Sequence, residues 1–313
     1  MVPSRRWRTA VRRLTAAERV AYYLEASESG RFLVQRYVAG SDATAAVAAA
    51  AELRLTNRSA ALAYLAPAPH SGAESDAIVA AYADALSRLR ESGLAAHGRA
   101  EITVRPAQLG LGLEAGATAA GERLRRLVRA AAEADTTVSL DLDDPARAAA
   151  ALDLAAAANA DPHLGVTVRA DLQRTVRDVR RLSQPGARLR LLRGELAGAE
   201  GGYRRGGTVD RAYVRCVREL LTRDCYPIFA TADLRLIEIT AALARQLGRP
   251  NETFEFELPY GVRVEEQRRI ADRGHQLRVW IPWGREWHDY LAGRLAERHT
   301  GVWQLARALA KRG

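Results

Sequence analysis

Short apolar runs alternate with long helical stretches along most of this chain. Eight runs have the length and composition of buried strands, and amphipathic stretches such as AIVAAYADALSRLRESG and GERLRRLVRAAAEAD separate them. The predicted strands are AALAYL near Ala60, AEITVR ending at Arg105, TTVSLDL ending at Leu142, HLGVTVRA ending at Ala170, ARLRLLRG ending at Gly194, YPIFAT ending at Thr231, TFEFEL ending at Leu258 and QLRVWI ending at Ile281. Strand followed by helix, repeated eight times, is typical of a (β/α)8 barrel.

The predicted fold is therefore α/β, a (β/α)8 barrel of the TIM type, with helices before it. Residues 1–58 are predicted to form an N-terminal helical segment, and residues 59–313 the barrel domain. A doubly wound open sheet is the structural alternative. It lacks support, because no GxGxxG follows the first strand and GLGLEAG at 110–116 has a different glycine spacing.

The stretch VWIPWGREWHDYLAGRLAER begins as a strand and continues as a helix. On that helix Tyr290, Arg294 and Glu297 follow an i, i+4, i+7 spacing, so all three are predicted to project from one face. Gly293 shares this face, although a glycine inside a helix costs roughly 1 kcal/mol relative to alanine. The spacing alone does not say what a polar stripe that contains a glycine does directly after a strand.

Composition adds limits on the class of protein. The net charge of +10 comes almost entirely from arginines that are scattered among Asp and Glu, and no nucleic-acid motif is present. Nucleic-acid binding is therefore not predicted. The first residues contain no signal-peptide pattern and no run approaches a membrane span, which predicts a cytoplasmic protein without integral membrane association. The two cysteines and six histidines have no metal-ligand spacing, so no metal site is predicted.

Charged residues are dense at the carboxyl ends of the predicted strands, the edge at which barrel enzymes carry out their chemistry. They are Arg105, Asp141, Asp143, Arg169, Arg190, Arg193, Glu195, Asp233 and Glu257. One such residue is more often paired and structural, but this number of both signs favours a small zwitterionic or anionic ligand. The glycine-rich GELAGAEGGYRRGG at 194–207 is compatible with a phosphate cradle and equally with a mobile surface loop.

Residues 254–298, FEFELPYGVRVEEQRRIADRGHQLRVWIPWGREWHDYLAGRLAER, resemble the C-terminal part of proline dehydrogenase, a flavin-dependent barrel enzyme. That family typically shows a strand EFQ, then RVYVPYG, then a helix YxxRRxxE. The likeness extends back through the earlier strands. ALAYL resembles the first strand, ITVRPAQLG is similar to SVKLSALG, VSLDLDD to IDxE, VTVRADLQRT to IQAYLxRT, RLRLLRG to RLVKGAY and PIFATAD to ATHD.

This resemblance implies a C-terminal helix over the barrel mouth, with a face that contacts substrate and flavin. It also implies non-covalent FAD across the strand ends and removal of a hydride equivalent from the carbon beside the nitrogen of a small amino acid. It implies that Arg294 holds the substrate carboxylate and Glu297 the ribityl or ribose portion of the flavin nucleotide. It also places Arg190 near the reactive nitrogen of the flavin ring, and matches Asp141 to the acid that fixes a lysine in the family.

The departures from the family concentrate on positions that face ligands, which indicates a paralogue with altered chemistry or substrate. Arg105 and Arg193 each replace a lysine of the family. The other replacements are Gly293 for arginine, Trp280 for tyrosine, Glu195 for alanine, Arg169 for glutamine, Ala232 for histidine and Glu257 for glutamine. Gly293 has two explanations: it enlarges the pocket, or it relieves crowding against Trp280 or Trp287.

The predicted site therefore has three sets of residues. Arg190 and Asp141 are the predicted catalytic residues. The predicted substrate contacts are Arg294, Arg105, Tyr290, Trp280, Gly293 and Glu195. The predicted FAD contacts are Arg190, Arg169, Arg193, Gly194, Thr231, Ala232, Asp233, Glu257 and Glu297.

Two functions of different classes remain open at this point. One is an FAD-dependent oxidoreductase acting on proline or a related small amino or hydrazino acid, with its electron acceptor undetermined. The other is a flavin-free barrel that serves as a non-redox enzyme or binds a metabolite or a protein. In the second case Arg169 fills the cavity together with an acidic partner such as Glu195 or Glu257, since a buried arginine requires one.

Overall fold

Within the part of the chain that the structure describes, two helices, α1 (Glu28–Tyr37) and α2 (Ala43–Arg54), precede the first strand. Each begins at a side chain that accepts a hydrogen bond from the first turn, Ser27 from the Gly30 amide and Asp42 from the Ala45 amide. The computed structural model describes residues 26–114, 116–142, 144–156, 161–194, 201–203 and 206–296.

Eight parallel strands form a closed barrel in which each strand pairs with its neighbours in sequence and the eighth pairs with the first. The strands are β1 (Ser59–Tyr64), β2 (Ala100–Val104), β3 (Val138–Leu140), β4 (Leu164–Arg169), β5 (Arg188–Leu192), β6 (Tyr226–Ala230), β7 (Glu255–Pro259) and β8 (Gln276–Trp283). The predicted barrel is confirmed, with a third strand shorter than the apolar run that predicted it.

Helices surround the barrel and follow its strands. They are α3 (Gly72–Glu91), α4 (Gly116–Glu133), α5 (Ala148–Ala156), α6 (Thr175–Leu182), α7 (Gly206–Leu221), α8 (Leu234–Gln246), α9 (Val264–Asp272) and α10 (His288–Ala296). Their apolar faces pack on the outward side chains of the strands. On α3, the buried hydroxyl of Tyr82 donates to the Thr103 carbonyl (2.8 Å) and accepts from the Tyr64 amide (3.1 Å), which joins this helix to β1 and β2.

The lower half of the barrel interior contains an ion network of Glu101, Arg188, Glu255 and Arg278. Arg188 Nη2 lies 3.1 Å from Glu101 Oε2 and 3.4 Å from Glu255 Oε1. Arg278 Nε lies 2.7 Å from Glu255 Oε1. Because β2 and β5 are not adjacent, the first contact crosses the interior. We call these four residues the lower network.

The lower network is electrically balanced, with two guanidinium groups and two carboxylates. Burial alone would raise the pKa of Glu101, but Arg278, Arg188 and the hydroxyls of Thr137 and Ser139 outweigh burial and lower it. Such a network costs free energy to desolvate and is retained only when each charge finds partners. Sequence analysis did not predict it.

The last described helix, α10, packs against α1 at the carboxyl end of the barrel. Leu291 is buried in a small apolar cluster with Leu33, Tyr37 and Val38 of α1 and its end, and with Leu65 after β1. This contact fixes α10 beside the ends of β1 and β8 and so carries its polar residues to the barrel mouth.

Candidate functional site

Arg190 on β5 is the centre of a buried ion cluster in the upper half of the barrel. Its Nε donates to Glu257 Oε1 on β7 (2.7 Å), and its Nη1 donates to Asp141 Oδ1, directly after β3 (3.0 Å). Thr167 Oγ1 on β4 lies 3.4 Å from the same Nη1. These contacts join alternate strands across the interior, and we call Asp141, Arg190 and Glu257 the mouth cluster.

The mouth cluster has one guanidinium group for two carboxyl groups. Burial would lower the pKa of Arg190, but Glu257 and Asp141 outweigh burial and raise it, so Arg190 stays charged. Burial raises the pKa of Glu257 to about 7, and Arg190 opposes that shift only in part. When both carboxyl groups are ionised, the cluster carries a net charge of −1.

Glu257 also has an oxygen without a protein partner. Its side chain is 2% exposed, and Oε2 accepts no hydrogen bond within the described part of the chain. A buried carboxylate oxygen without a partner costs free energy, so such an atom indicates a place for a ligand donor or for a proton.

Arg169 at the end of β4 is bound by an acid that sequence analysis did not single out. Its Nε and Nη2 donate to the two carboxylate oxygens of Asp171, at 3.1 and 2.9 Å. Both residues are buried. The expectation that Arg169 has an acidic partner is met by Asp171. Of the two acids named as examples, Glu257 binds Arg190 instead, and Glu195 lies outside the described residues.

Gly194, after β5, makes the position of Asp171 possible. It adopts a φ of +77°, and a Cβ at this position would overlap the Asp171 carboxylate. Tyr203 also holds the turn after β4, because its amide donates to the Asp171 carbonyl (2.8 Å). Packing against Asp171 thus requires a glycine at the first residue of the glycine-rich segment. Most of that segment lies outside the described residues.

The ends of β5 and β6 carry the other predicted cofactor residues. Arg193 Nη2 lies 2.7 Å from Asp210 Oδ1 at the start of α7. Asp233 caps α8 by accepting from the Arg235 amide (2.9 Å). Burial would raise the pKa of Asp233, but the hydrogen bonds from Arg235 outweigh burial and lower it. The Thr231 hydroxyl accepts from the Asp233 amide (3.1 Å), and Ala232 lies between them.

On α10 and β8, aromatic and cationic side chains form a layered contact. The rings of Trp280 and Tyr290 have centroids 5.4 Å apart, and the Arg294 guanidinium lies over the Tyr290 ring at 5.5 Å. A Cβ on Gly293 would meet no atom of the described residues within 4 Å. Crowding of a Cβ against Trp280 or Trp287 therefore does not explain the glycine, and the explanation that Gly293 enlarges the pocket stays a prediction.

Arg105 follows β2 and binds the loop after β1. Its Nη2 donates to the Ala66 carbonyl (3.2 Å), and its amide donates to Gln108 Oε1 (3.0 Å). The carboxylate of Asp141, the acid that the resemblance associates with this position, accepts a hydrogen bond from Arg190. Glu195 and Glu297, and with them Asp143, lie outside the described residues.

The described residues contain no cluster of His, Cys, Asp and Glu suited to a metal ion. Nor does any helix among them combine the length and apolar character that crossing a membrane requires.

Comparison with known proteins identifies relatives. The model of the family described as proline dehydrogenase matches residues 203–303. Proline dehydrogenase 2 of Bacillus subtilis is 29% identical over 194 residues, which cover 61% of this chain and 64% of that protein. The proline dehydrogenase of Deinococcus radiodurans is 28% identical over 290 residues, which cover 91% of this chain and 92% of that protein.

Solved structures agree on the fold. A proline utilization A protein of Bdellovibrio bacteriovorus superposes with a TM-score of 0.78 at 17% identity, over 98% of this chain and 36% of that one. A proline utilization A variant from Bradyrhizobium japonicum gives 0.70 at 20% identity, over 90% of this chain and 32% of that one. The chain thus spans about a third of these larger proteins. Sequence relatives and fold together lead to one conclusion: this chain is similar in sequence to proline dehydrogenases, and it shares its barrel fold with proline utilization A proteins.

Proposed function

We propose that this protein is an FAD-dependent oxidoreductase that oxidises the C–N bond of proline or of a related small amino or hydrazino acid. The observation that carries the proposal is the mouth cluster, in which the buried Arg190 is held between Asp141 and Glu257. It stands at the barrel edge where such enzymes act, in a chain whose relatives are named proline dehydrogenases.

The residues present suit a flavin ring. The edge of that ring carries both hydrogen-bond donors and acceptors. Glu257 Oε2 is a buried oxygen, and Trp280 Nε1 a buried N–H, that have no partner among the described residues. Arg169 binds Asp171 on its own side of the barrel. It does not pair with Glu257, a contact that would cross the mouth from β4 to β7. The donor set therefore fits FAD.

Four residues of the mouth would hold the cofactor, and the described substrate contacts would come from α10, from β8 and from Arg105 directly after β2. Arg190 and Glu257 would contact the ring, with Arg169 and Arg193 beside them on β4 and after β5. When bound, FAD supplies the two-electron acceptor for the C–H bond beside the substrate nitrogen. The remaining predicted cofactor residues are Gly194, Thr231, Ala232, Asp233 and Glu297.

The chain's own residues would bind and orient the substrate. Arg294, held over the Tyr290 ring by a cation–π contact, would take the carboxylate. Arg105 would supply a second grip, because its planar fork can bind a carboxylate through two hydrogen bonds. Trp280 and Tyr290 would form an apolar wall that limits water around the reacting carbon.

The visible spectrum of the purified full-length chain tests this proposal. We expect a yellow protein, or one that becomes yellow with added FAD, whose flavin bleaches when proline is titrated anaerobically. Pyrrolidine, which has the amine but no carboxylate, is the matched control and should bleach far less. A chain that takes up no flavin would support the flavin-free alternative, and a flavin that no amino or hydrazino acid bleaches would contradict the proposed substrate class.

Replacing Gly293 with arginine is expected to strengthen proline binding by about tenfold, about 1.4 kcal/mol. The reason is that a Cβ meets open space there, and one additional charge-assisted hydrogen bond contributes roughly 1.5–3 kcal/mol. Proline titrations followed by flavin bleaching measure the change. Gly293→Ala is the control: it improves helix propensity but adds no charge. Weaker proline binding in Gly293→Arg than in Gly293→Ala would show that substrate needs the open space.

A further inference from the structure

Glu257 stands out among the buried acids of the described residues because its charge is only partly balanced. In the lower network, Glu101 and Glu255 share two arginines, so the two charges of each sign cancel. In the mouth cluster, Arg190 serves both Asp141 and Glu257. On β5 and β7 the two layers are two residues apart, yet only the upper one has an excess carboxyl group.

The surroundings of Glu257 make it the group that titrates. From β5 it faces Arg190, and through Arg190 it meets Asp141 after β3. Glu101 on β2 opposes its ionisation, and Arg278 on β8 favours it, both from the balanced lower network. Its neighbour in the register on β6, Ala230, is uncharged. Oε2 is buried without a protein partner, so a proton can reside there without breaking a hydrogen bond.

We propose that Glu257 takes up a proton when the bound flavin is reduced. This inference rests on the proposed function, since it requires a flavin beside Arg190. A bound flavin would accept from the substrate a hydride, which carries two electrons and one proton and hence one negative charge. That charge would be added beside a cluster whose charge is already −1, in a medium that screens it poorly. One further proton from solvent, bound at Glu257 Oε2, compensates the added charge.

The proposal concerns a feature in which this chain departs from the family that it resembles. The resemblance places a neutral glutamine at the position of Glu257, and a glutamine cannot bind this proton. Burial supports Glu257 as the group that takes up the proton, because it raises the pKa of this carboxyl group to about 7. At neutral pH the group is therefore partly protonated before the flavin is reduced.

The test is the pH dependence of the flavin midpoint potential in the full-length protein with FAD. Between about pH 7 and 9, wild type should lose about 60 mV per pH unit, which is two protons for two electrons. Glu257→Gln should lose about 30 mV per pH unit, because the proton of the ring alone remains. Protonation of the ring itself is common to both proteins, so the difference between the slopes reports on Glu257.

Glu255→Gln is the matched control, because Glu255 is a buried, arginine-bound acid on the same strand but belongs to the lower network. It should retain the steep slope. A shallow slope in wild type, or a steep slope in Glu257→Gln, would overturn the inference and leave the proposed function standing. A chain that binds no FAD would overturn both.

A second measurement does not depend on flavin, and it applies to the as-purified chain. Since the pKa of Glu257 is raised from its ordinary 4.5 to about 7, the folded state binds more protons than the unfolded state within that window. Wild type should therefore lose stability as pH rises, by up to tenfold in the folding equilibrium constant per pH unit relative to Glu257→Gln. Parallel pH profiles would refute the titration of Glu257. If Glu257→Gln does not fold, the slope of wild type alone decides.

Discussion

Replacing Arg190 with methionine is expected to lower the free energy of unfolding by about 3–5 kcal/mol and to abolish flavin binding. Arg190 is 5% exposed and is shared by Asp141 and Glu257. Removing the guanidinium leaves two buried carboxyl groups without their counter-charge. Denaturant unfolding of the flavin-free chain and the flavin content after purification measure the two effects.

Two controls separate stability from cofactor binding. The triple variant Asp141→Asn, Arg190→Met, Glu257→Gln removes all three charges and should recover most of the lost stability, yet remain colourless. Arg193→Met removes an arginine that is paired with Asp210 but is partly exposed, and should cost only about 0–1 kcal/mol. A stable, yellow Arg190→Met variant would contradict both the importance of the mouth cluster and its assignment to the flavin.

Replacing Gly194 with alanine is expected to destabilise the protein by about 3–5 kcal/mol. Part of this is the strain of a φ of +77°, about 1–2 kcal/mol for a residue with a Cβ. The larger part arises because the new methyl group would overlap the Asp171 carboxylate and displace it from Arg169. Thermal or denaturant unfolding gives the total.

Gly186→Ala is a close control for the free-energy cost of placing alanine at a positive φ. Gly186 has a φ of +78°, but a Cβ there meets no atom of the described residues within 4 Å. It should therefore cost only the strain of about 1–2 kcal/mol. The difference between the two variants isolates the displacement of Asp171. Equal effects would mean that the Asp171 carboxylate moves aside freely and that the Arg169–Asp171 pair contributes little to stability.

The site could be predicted in part because strand ends are visible in the pattern of apolar residues. Arg190, Glu257 and Asp141 were predicted to lie at the same edge of the barrel, and the structure brings them into direct contact. Which acid each arginine would choose was not predictable. Asp171 lies only two residues after Arg169, yet its role depends on a turn that also requires Gly194 at a positive φ.

The sequence by itself determined the alternation of eight strands with helices, and with it the closed barrel and the edge at which polar residues collect. That information is local, because apolar periodicity and chain breaks act over a few residues. Only the tertiary structure decided that Glu101 meets Arg188 across the interior, and that Arg190 serves two acids while Glu257 keeps an oxygen without a partner. These choices depend on the register of strands far apart in the chain, since closing the barrel is what places alternate strands opposite one another.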